Sequence, residues 1–391
     1  MFKFKIISKL KNSRGRVGIF KTPHGELLTP EIAFVATEGE IKAVPKDLLR
    51  NLPIKLLVVN TFHLLTKGIV SSNFSIHQHL NFNGPVMSDS GGFQVFSLGF
   101  GKIHGIGKIA GEKNLNKNQR TQKTEIDKKN PLKITEGGVE FFFNEKKFFL
   151  SPEISIEIQK NIGADIIFAF DECTSPLNSY AYTKEAMERT HRWLERCIAK
   201  WKENKNQQGL FGIIQGGYFK DLREKSAKFV AKLPLTGFGI GGAFGPEDKS
   251  GWQILEKVIP FIPEEKPRHL LGIGKIKDIF EGVEKGVDTF DCTIPTREAR
   301  HRILYTKKGK IDVRKMKNVK KPVDKNCVCP MCKEKITLEK LNDLFSKRNP
   351  LAYSLATLHN IYFFLNLMDS IRKAIENNSF KNLKKKIFKY Y

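Results

Sequence analysis

The sequence has no apolar run long enough to cross a membrane, which argues against a protein with membrane-spanning helices. Its first residues, MFKFKIISKLKNSRGRVG, alternate charged and apolar side chains and have neither an apolar core nor a small-residue cleavage site. We therefore expect no signal peptide. At 391 residues and 40% hydrophobic composition, the chain is long and apolar enough to bury a large core.

Acidic residues are scarce. Asp and Glu total 41 against 67 Lys and Arg, which gives a net charge of +26. Residues 301–391 alone hold 22 basic and 7 acidic side chains. Such an excess attracts polyanions and favours a nucleic acid partner. The alternative explanation is a lysine-rich proteome that places lysine on every solvated face.

Cysteine is also sparse, and its spacing does not suggest a disulfide ladder. Of six cysteines, Cys327, Cys329 and Cys332 fall within CVCPMC, which is typical of a metal site in a reducing cytoplasm. His359 is the one His or Cys that follows them, so we expect it to be the fourth ligand, although a lone helical histidine is more often a packed or surface residue. Three thiolates and one imidazole fill a zinc tetrahedron, so the sequence predicts one structural Zn²⁺ ion with no open position for catalysis.

Short apolar, β-branched runs recur along the chain, several of them separated by amphipathic segments such as 152–163 and 184–201. Strands that are apolar on both faces and alternate with helices indicate a parallel sheet. Eight of them favour a (β/α)8 TIM barrel. A doubly wound open sheet is the alternative, but it would usually show an early glycine-rich phosphate turn, and GIGKIKD at 272–278 is too short for a Walker loop. The eight predicted strands are 31–37, 54–60, 84–90, 164–170, 210–216, 237–242, 268–274 and 287–292.

The strand pattern is interrupted twice, and this sets the predicted domains. We expect a barrel over 1–302 with a polar, lysine-rich insertion at 100–133, and a basic zinc-binding subdomain at 303–350. A helix within 351–378 would close the barrel and supply His359. A basic tail at 379–391 would follow.

Polar residues follow the predicted strands, among them three acids. Asp89, Asp171 and Asp291 could each be an ordinary cap, but barrel enzymes collect their catalytic groups at the carboxyl ends of strands. Two carboxylates suit displacement at an anomeric carbon. A third carboxylate, with the amide of Gln215 and a backbone N–H, suits recognition of a purine edge. The residues therefore indicate N-glycosidic chemistry on a purine carried by a polyanion.

Several motifs together resemble one family. They are SDSGGFQVFSL (88–98), AFDEC (169–173), FGIIQGG (211–217), GIGG (239–242), LLGIGK (270–275), FDCTIPTREAR (290–300) and CVCPMC with LHNI (358–361). In this order they resemble the bacterial-type tRNA-guanine transglycosylase, or queuine tRNA-ribosyltransferase, family. The resemblance extends from about residue 4 to 378.

The resemblance implies a role for each motif. Asp291 would be the nucleophile at the ribose and Asp89 the general acid/base, in an exchange of the tRNA wobble guanine for a 7-deazaguanine. It also implies the zinc ligands given above, a cytoplasmic enzyme and a homodimer built partly through the zinc region. The implied base-binding residues are Asp89, Ser90, Gly91, Gly92, Phe93, Asp171, Cys173, Gln215, Gly241 and Gly242. The implied tRNA-binding residues are Gly272, Ile273, Gly274, Lys275, Ile276, Lys277 and Asp278, with Thr296, Arg297, Glu298, Ala299 and Arg300.

The sequence departs from the family pattern after Gly242, where it has AFGPEDK in place of Leu-Ala-Val-Gly-Glu. The incoming base therefore stays open between 7-aminomethyl-7-deazaguanine and queuine. Two other functions are also considered. A non-catalytic RNA-binding subunit of the same family would not need both Asp89 and Asp291. A retaining glycosidase would have no use for the zinc cluster and the basic C-terminal third.

Overall fold

The computed structural model describes residues 2–71, 74–96, 132–203, 208–242 and 250–391. Most of the predicted insertion at 100–133 lies outside these ranges, as does the AFGPEDK segment after Gly242. No helix in the described ranges is both long and apolar enough to span a bilayer.

Eight strands close into a parallel barrel, in the order β4, β5, β6, β10, β11, β12, β13, β14. All eight predicted strands are present, so the predicted TIM barrel is confirmed and the open-sheet alternative is wrong. The described strands are β1 Lys3–Lys9, β2 Arg16–Thr22, β3 Gly25–Thr29, β4 Glu31–Ala36, β5 Leu57–Val59, β6 Val86–Ser88, β7 Lys133–Ile134, β8 Val139–Phe143, β9 Lys146–Leu150, β10 Ile166–Phe168, β11 Gly209–Ile214, β12 Gly237–Ile240, β13 Arg268–Leu270, β14 Thr289–Cys292, β15 Ile303–Thr306 and β16 Gly309–Asp312.

Helices follow most of the barrel strands. The described helices are α1 Lys46–Leu49, α2 Thr61–Thr66, α3 Ile76–Leu80, α4 at 92–96, α5 Pro152–Ile162, α6 Tyr180–Glu203, α7 Lys220–Val230, α8 Ser250–Val258, α9 Ile276–Glu284, α10 Ile294–Arg300, α11 Pro330–Lys333, α12 Leu338–Ser346, α13 Pro350–Glu376 and α14 Phe380–Phe388. Single 3-10 turns cover Ile259–Phe261 and Val313–Lys315.

The chain divides into two compact units, of which the first holds residues 1–59, 77–86 and 270–391. In it, β14 runs parallel to β4 with Asp291 opposite Ala33. The antiparallel sheet β1–β2–β3 and the hairpin β15–β16 add to this unit. The long helix α13 packs against β4, α10, α11 and α12, and the segment 379–391 contains α14.

The second unit holds residues 60–76 and 87–269. Here β10, β11 and β12 run parallel, and every residue of these strands is buried, as expected for strands covered on both faces. Helix α5 begins at the predicted cap, because the Ser151 hydroxyl accepts from the Ile154 N–H at 3.3 Å and Pro152 occupies the first turn. The antiparallel sheet β7–β8–β9 lies before this helix in the chain.

Candidate active site

Asp89 follows β6 directly, and its carboxylate is held from several sides. One oxygen, Oδ1, accepts from the backbone N–H groups of Thr61 at 2.9 Å and Gly91 at 3.1 Å. The other, Oδ2, accepts from the side-chain amides of Asn60 at 2.6 Å and Gln94 at 3.1 Å. The side chain is half-buried, so these donors fix its direction without sealing it from water. The strand end therefore presents an oriented acid.

Of the residues that orient Asp89, Gly91 was a predicted site residue, whereas Asn60, Thr61 and Gln94 were not. Asn60 follows β5 and caps α2, where its Oδ1 accepts from the His63 N–H at 2.9 Å. Its amide is left to donate to Asp89, so one side chain starts a helix and positions the acid. Asn60 directly follows an apolar strand, and that position in the sequence could have marked it as a site residue. No sequence pattern marks Thr61 or Gln94 in this way.

Asp171 lies past the end of β10 and is buried. Its Oδ2 accepts from the Gln215 amide at 2.6 Å, and its Oδ1 accepts from the Ser90 hydroxyl at 3.3 Å. A side chain at Gly92 would bring its Cβ within 2.8 Å of the Asp171 carbonyl oxygen, so glycine is needed there. The structure thus brings together the predicted residues of the SDSGG, DEC and QGG motifs.

Burial raises the pKa of Asp171 to about 6, although the hydrogen bonds from Gln215 and Ser90 oppose the rise. The neighbouring Glu172 is also buried, and burial raises its pKa, but it is bonded to Arg189 at 2.5 Å and to the Tyr182 hydroxyl at 2.7 Å. Glu172 therefore has charged and neutral donors of its own. The partners of Asp171 in the described part of the chain, Gln215 and Ser90, are neutral, so Asp171 is the acid more available to a ligand.

Gln215 directly follows β11, and its side-chain amide donates to Asp171 while its carbonyl oxygen accepts no bond from the described residues. Its Oε1 is buried and has no hydrogen-bond partner within the described part of the chain. A Cβ at Gly242, where φ is +84°, would lie 2.6 Å from this oxygen. The Gly241 N–H donates to the Ile214 carbonyl at 3.3 Å, so that donor is already engaged. Gly242 is consequently the better candidate for a backbone contact with a ligand.

Helix α7 supports the Gln215 turn from behind. Arg223 is fully buried and donates to the Ile214 carbonyl at 2.8 Å and the Gly217 carbonyl at 2.6 Å, one on each side of Gln215. Burial lowers its pKa to about 10, so the guanidinium stays charged at neutral pH. Ser226 accepts from the Gln215 N–H at 3.2 Å. Neither residue was predicted, because their partners are backbone groups that no motif marks.

Two further predicted residues have contrasting surroundings. Cys173 is buried, and burial raises the pKa of its thiol to about 12, so it is a neutral lining group. Phe93 is 46% exposed, although it follows two buried glycines. A large ring with that exposure is available to stack on a flat ligand.

Asp291 lies within β14, in the first unit. Its Oδ1 accepts from the Gly272 N–H at 2.8 Å. The next residue, Cys292, is buried, and a Cβ at Gly274 would collide with its Sγ. The FDC motif and the start of the 272–278 segment therefore pack together.

The predicted tRNA-binding residues lie on α9, α10 and the loop before α9. Lys275 and Lys277 are exposed, and Asp278 lies in the first turn of α9. On α10, Arg300 is half-buried, and its Nη1 has no hydrogen-bond partner among the residues described. Burial lowers the pKa of Arg300, with a further contribution from Arg297. Of the remaining predicted residues, Gly272 is exposed, Ile273, Arg297 and Glu298 are half-buried, and Gly274, Ile276, Thr296 and Ala299 are buried.

The predicted cysteines meet His359 at one point. Its Nδ1 lies 3.7 Å from Cys327 Sγ and 3.5 Å from the sulfurs of Cys329 and Cys332. Sulfur and nitrogen ligands on a zinc tetrahedron would be about 3.5 Å apart, given usual bond lengths near 2.3 and 2.0 Å. His359 Nε2 contacts the Tyr305 carbonyl at 2.9 Å, which leaves Nδ1 for a metal. These four residues can hold a metal ion.

The residue after His359 links the metal group to α10. Asn360 donates to the Pro295 carbonyl and the Ile303 carbonyl, both at 3.0 Å, and accepts from the Tyr305 N–H at 3.0 Å. Adjacent residues of α13 thus face the metal ligands and the start of α10.

The family model described as "TGT: Queuine tRNA-ribosyltransferase" matches residues 11–391. A relative from Archaeoglobus fulgidus is 42% identical, with 98% of each chain aligned. Relatives named queuine tRNA-ribosyltransferase from Protochlamydia amoebophila and Aquifex aeolicus are 37% and 38% identical. The alignments cover 96% of both chains for the first, and 99% of this chain and 98% of the relative for the second.

Proposed function

Since the chain belongs to the queuine tRNA-ribosyltransferase family of pentosyltransferases, we propose that it exchanges the wobble guanine of tRNA for a 7-deazaguanine by double displacement. The observation that carries this proposal is the placement of two acids on barrel strands, Asp89 directly after β6 and Asp291 one residue before the end of β14, each with a carboxylate that accepts from backbone N–H donors. In TIM barrels the carboxyl ends of the strands form the catalytic face. A non-catalytic subunit would not need both acids.

In the first step, an Asp291 carboxylate oxygen forms a bond to the ribose C1′, and the bond from C1′ to guanine N9 breaks with its electron pair. Asp89 donates a proton to the leaving guanine. In the second step, Asp89 takes the N9 proton of the incoming base, N9 bonds to C1′, and the ester bond to Asp291 breaks. Both carboxyl groups end in their starting protonation states, so the cycle closes.

Recognition of the base rests on Asp171 and Gln215. An ionised Asp171 can accept from the ring N1–H and the exocyclic amine of guanine, while the Gln215 amide and the Gly242 backbone donate to its carbonyl. The Gln215 amide donates one of its two N–H groups to Asp171, which leaves the second N–H to donate to the base. Phe93 covers the ring, and either 7-aminomethyl-7-deazaguanine or queuine is the incoming base.

The RNA is held around the flipped wobble nucleotide. Arg297 and Arg300 supply guanidinium donors for neighbouring bases and phosphates, and the Gly272–Asp278 segment contacts the strand beside them. The four-residue metal group holds one structural zinc ion, because its ligands fill a tetrahedron and leave no position for water. The enzyme acts as a cytoplasmic homodimer.

The test is incorporation of labelled guanine into a tRNA with guanine at the wobble position, competed separately by 7-aminomethyl-7-deazaguanine and by queuine. We expect exchange by the native chain. Asp291→Asn should abolish both the exchange and the covalent RNA adduct on denaturing gels. Asp89→Asn should stop turnover while tRNA binding survives.

Near-normal exchange by Asp291→Asn would remove this residue as the nucleophile. A large loss of tRNA binding in Asp89→Asn would instead favour a purely structural cap. RNA binding without exchange in the native chain would support the non-catalytic subunit, and release of sugar from a neutral glycan would support the glycosidase.

A further inference from the structure

Helix α14 carries four lysines and no acidic residue. Two of its apolar residues, Phe380 and Ile387, are buried, so its apolar side is already covered by the protein. The remaining surface is polar and basic. An amphipathic helix that binds membranes needs an exposed apolar face. The apolar face of α14 packs against the protein, so this helix does not fit a membrane-binding role.

The position of α14 is fixed by its contacts with α9. The Phe280 ring lies 5.5 Å from the Phe380 ring and 5.7 Å from the Phe388 ring. Lys384 Nζ lies 2.6 Å from carboxylate oxygens of both Glu281 and Glu284. The charge of this lysine is therefore neutralised, and its role is to hold the two helices together.

In the described part of the chain, the other lysines of this segment form no ion pair with α9. Lys381, Lys385, Lys386 and Lys389 are exposed, and none has an ion-pair partner within the ranges that the structure covers. Holding several like charges together has an electrostatic cost, which an anionic partner would remove.

The end of α14 lies where the predicted RNA contacts begin. Lys277, in the first turn of α9, lies 5.7 Å from the Phe388 ring, and the Tyr391 hydroxyl donates to the Thr306 carbonyl at 2.6 Å. The C-terminal lysines are thus beside the start of α9 and beside the β15–β16 hairpin, which has exposed lysines at 307, 308 and 310. The loop before α9 starts at Gly272, which is bonded to Asp291.

We propose that α14 and Lys389 form a phosphate-binding surface that extends the tRNA contact beyond the flipped nucleotide and its neighbours. The inference rests on the proposed function, because it is tRNA that would bring a stem backbone past α9. Lysines that lack base-specific geometry suit phosphate contacts, which set affinity and orientation and read no sequence. Its continuity with the α9 segment favours RNA over an acidic protein.

The experiment measures tRNA affinity of the full-length protein across a salt series. The variant Lys385→Ala/Lys386→Ala/Lys389→Ala should lower the slope of log affinity against log salt by about one for each lysine that contacts a phosphate. It should also raise the KM for tRNA. The matched control is Lys3→Ala/Lys5→Ala/Lys11→Ala, which removes the same charge from exposed positions near the N-terminus and should leave the slope unchanged.

An unchanged slope in the first variant, or an equal loss in the control, would overturn the proposal. So would weaker binding of a poly-glutamate peptide with unaltered tRNA affinity, since that would assign the surface to an acidic protein. Labelled-guanine exchange by the native chain separates the two hypotheses. If the native chain exchanges guanine but the triple-lysine variant keeps the native salt slope, only the phosphate-binding surface is rejected. If the native chain shows no exchange, the proposed function is rejected.

Discussion

Asp171 is the carboxyl group proposed to accept hydrogen bonds from guanine, and only its ionised form can accept on both oxygens. Burial raises its pKa to about 6, so the free protein loses the ionised form as the pH falls below that value. We predict that kcat/KM for guanine falls about tenfold per pH unit below pH 6, because this parameter reports the free enzyme. Rates of guanine exchange between pH 5 and 8 check this.

Asp171→Asn is the matched variant for that profile. The asparagine side chain cannot ionise, so the variant should bind guanine weakly. Its kcat/KM should also lack the decrease below pH 6 that we attribute to Asp171. A native profile that stays flat to pH 5, or an acidic limb that persists unchanged in the variant, would contradict the assignment.

The same pKa has a consequence for stability. Because the folded protein holds the Asp171 proton more tightly than the unfolded chain, this group lowers the free energy of unfolding as pH rises from about 4 to 6. A rise from 3.8 to about 6 corresponds to about 3 kcal/mol. The buried charge is thus a stability cost at neutral pH, which is common for groups reserved for a ligand.

Residue types at strand ends could be predicted, but their partners could not. Asp89 and Asp171 were located because each ends an apolar run. The bond from Asn60 to Asp89 joins residues 29 positions apart, and nothing in either stretch marks the pair. Only the folded backbone shows that a helix cap also holds the acid. The catalytic roles of Asp89 and Asp291 stay predictions.

At the scale of elements, α7 supports the turn that carries Gln215. We predict that Arg223→Met lowers the free energy of unfolding by about 1–3 kcal/mol and raises the KM for guanine, because it removes the donor to the buried Gly217 carbonyl and leaves the Ile214 carbonyl with the 3.3 Å bond from the Gly241 N–H. Urea unfolding and exchange kinetics measure the two effects.

Arg192→Met is the control for this change. Arg192 is an arginine of α6 that is 49% exposed and is paired with Glu136. An exposed pair of this kind contributes about 0–1 kcal/mol. Equal destabilisation by both substitutions would show that Arg223 has no special part in supporting the Gln215 turn.

The barrel strands could be predicted because their residues are apolar on both faces. The antiparallel sheets were missed for the opposite reason. In β1, KFKIISK, lysines alternate with apolar residues and only Phe4 is buried, so the strand resembles a solvated segment. A strand that is buried on one face is stabilised by the residues that it packs against. Those residues lie elsewhere in the chain, so a short sequence segment does not show them.

At the scale of the whole molecule, the metal group joins residues that are far apart in the chain. We predict one zinc ion per chain in the native protein, and near-zero zinc with a lower Tm in Cys329→Ser, since structural zinc stabilises the folded state directly. Metal analysis and thermal unfolding provide the measurements.

Cys197→Ser is the matched control, because Cys197 is also buried but is not near the metal group in sequence and is not one of its members. It should keep one zinc ion per chain. An unchanged zinc content in Cys329→Ser would remove this residue as a ligand.

His359 and Asn360 are consecutive residues of α13, one at the metal ligands and the other bonded to the start of α10. A change in metal occupancy can therefore reach α10, the helix proposed to read the anticodon, through the hydrogen bond from Asn360 to the Pro295 carbonyl. In a cell starved of zinc, we expect tRNA recognition to decline before the barrel itself unfolds. The level of modified tRNA would then vary with the zinc supply of the cell, because α13 carries both a metal ligand and the residue bonded to α10.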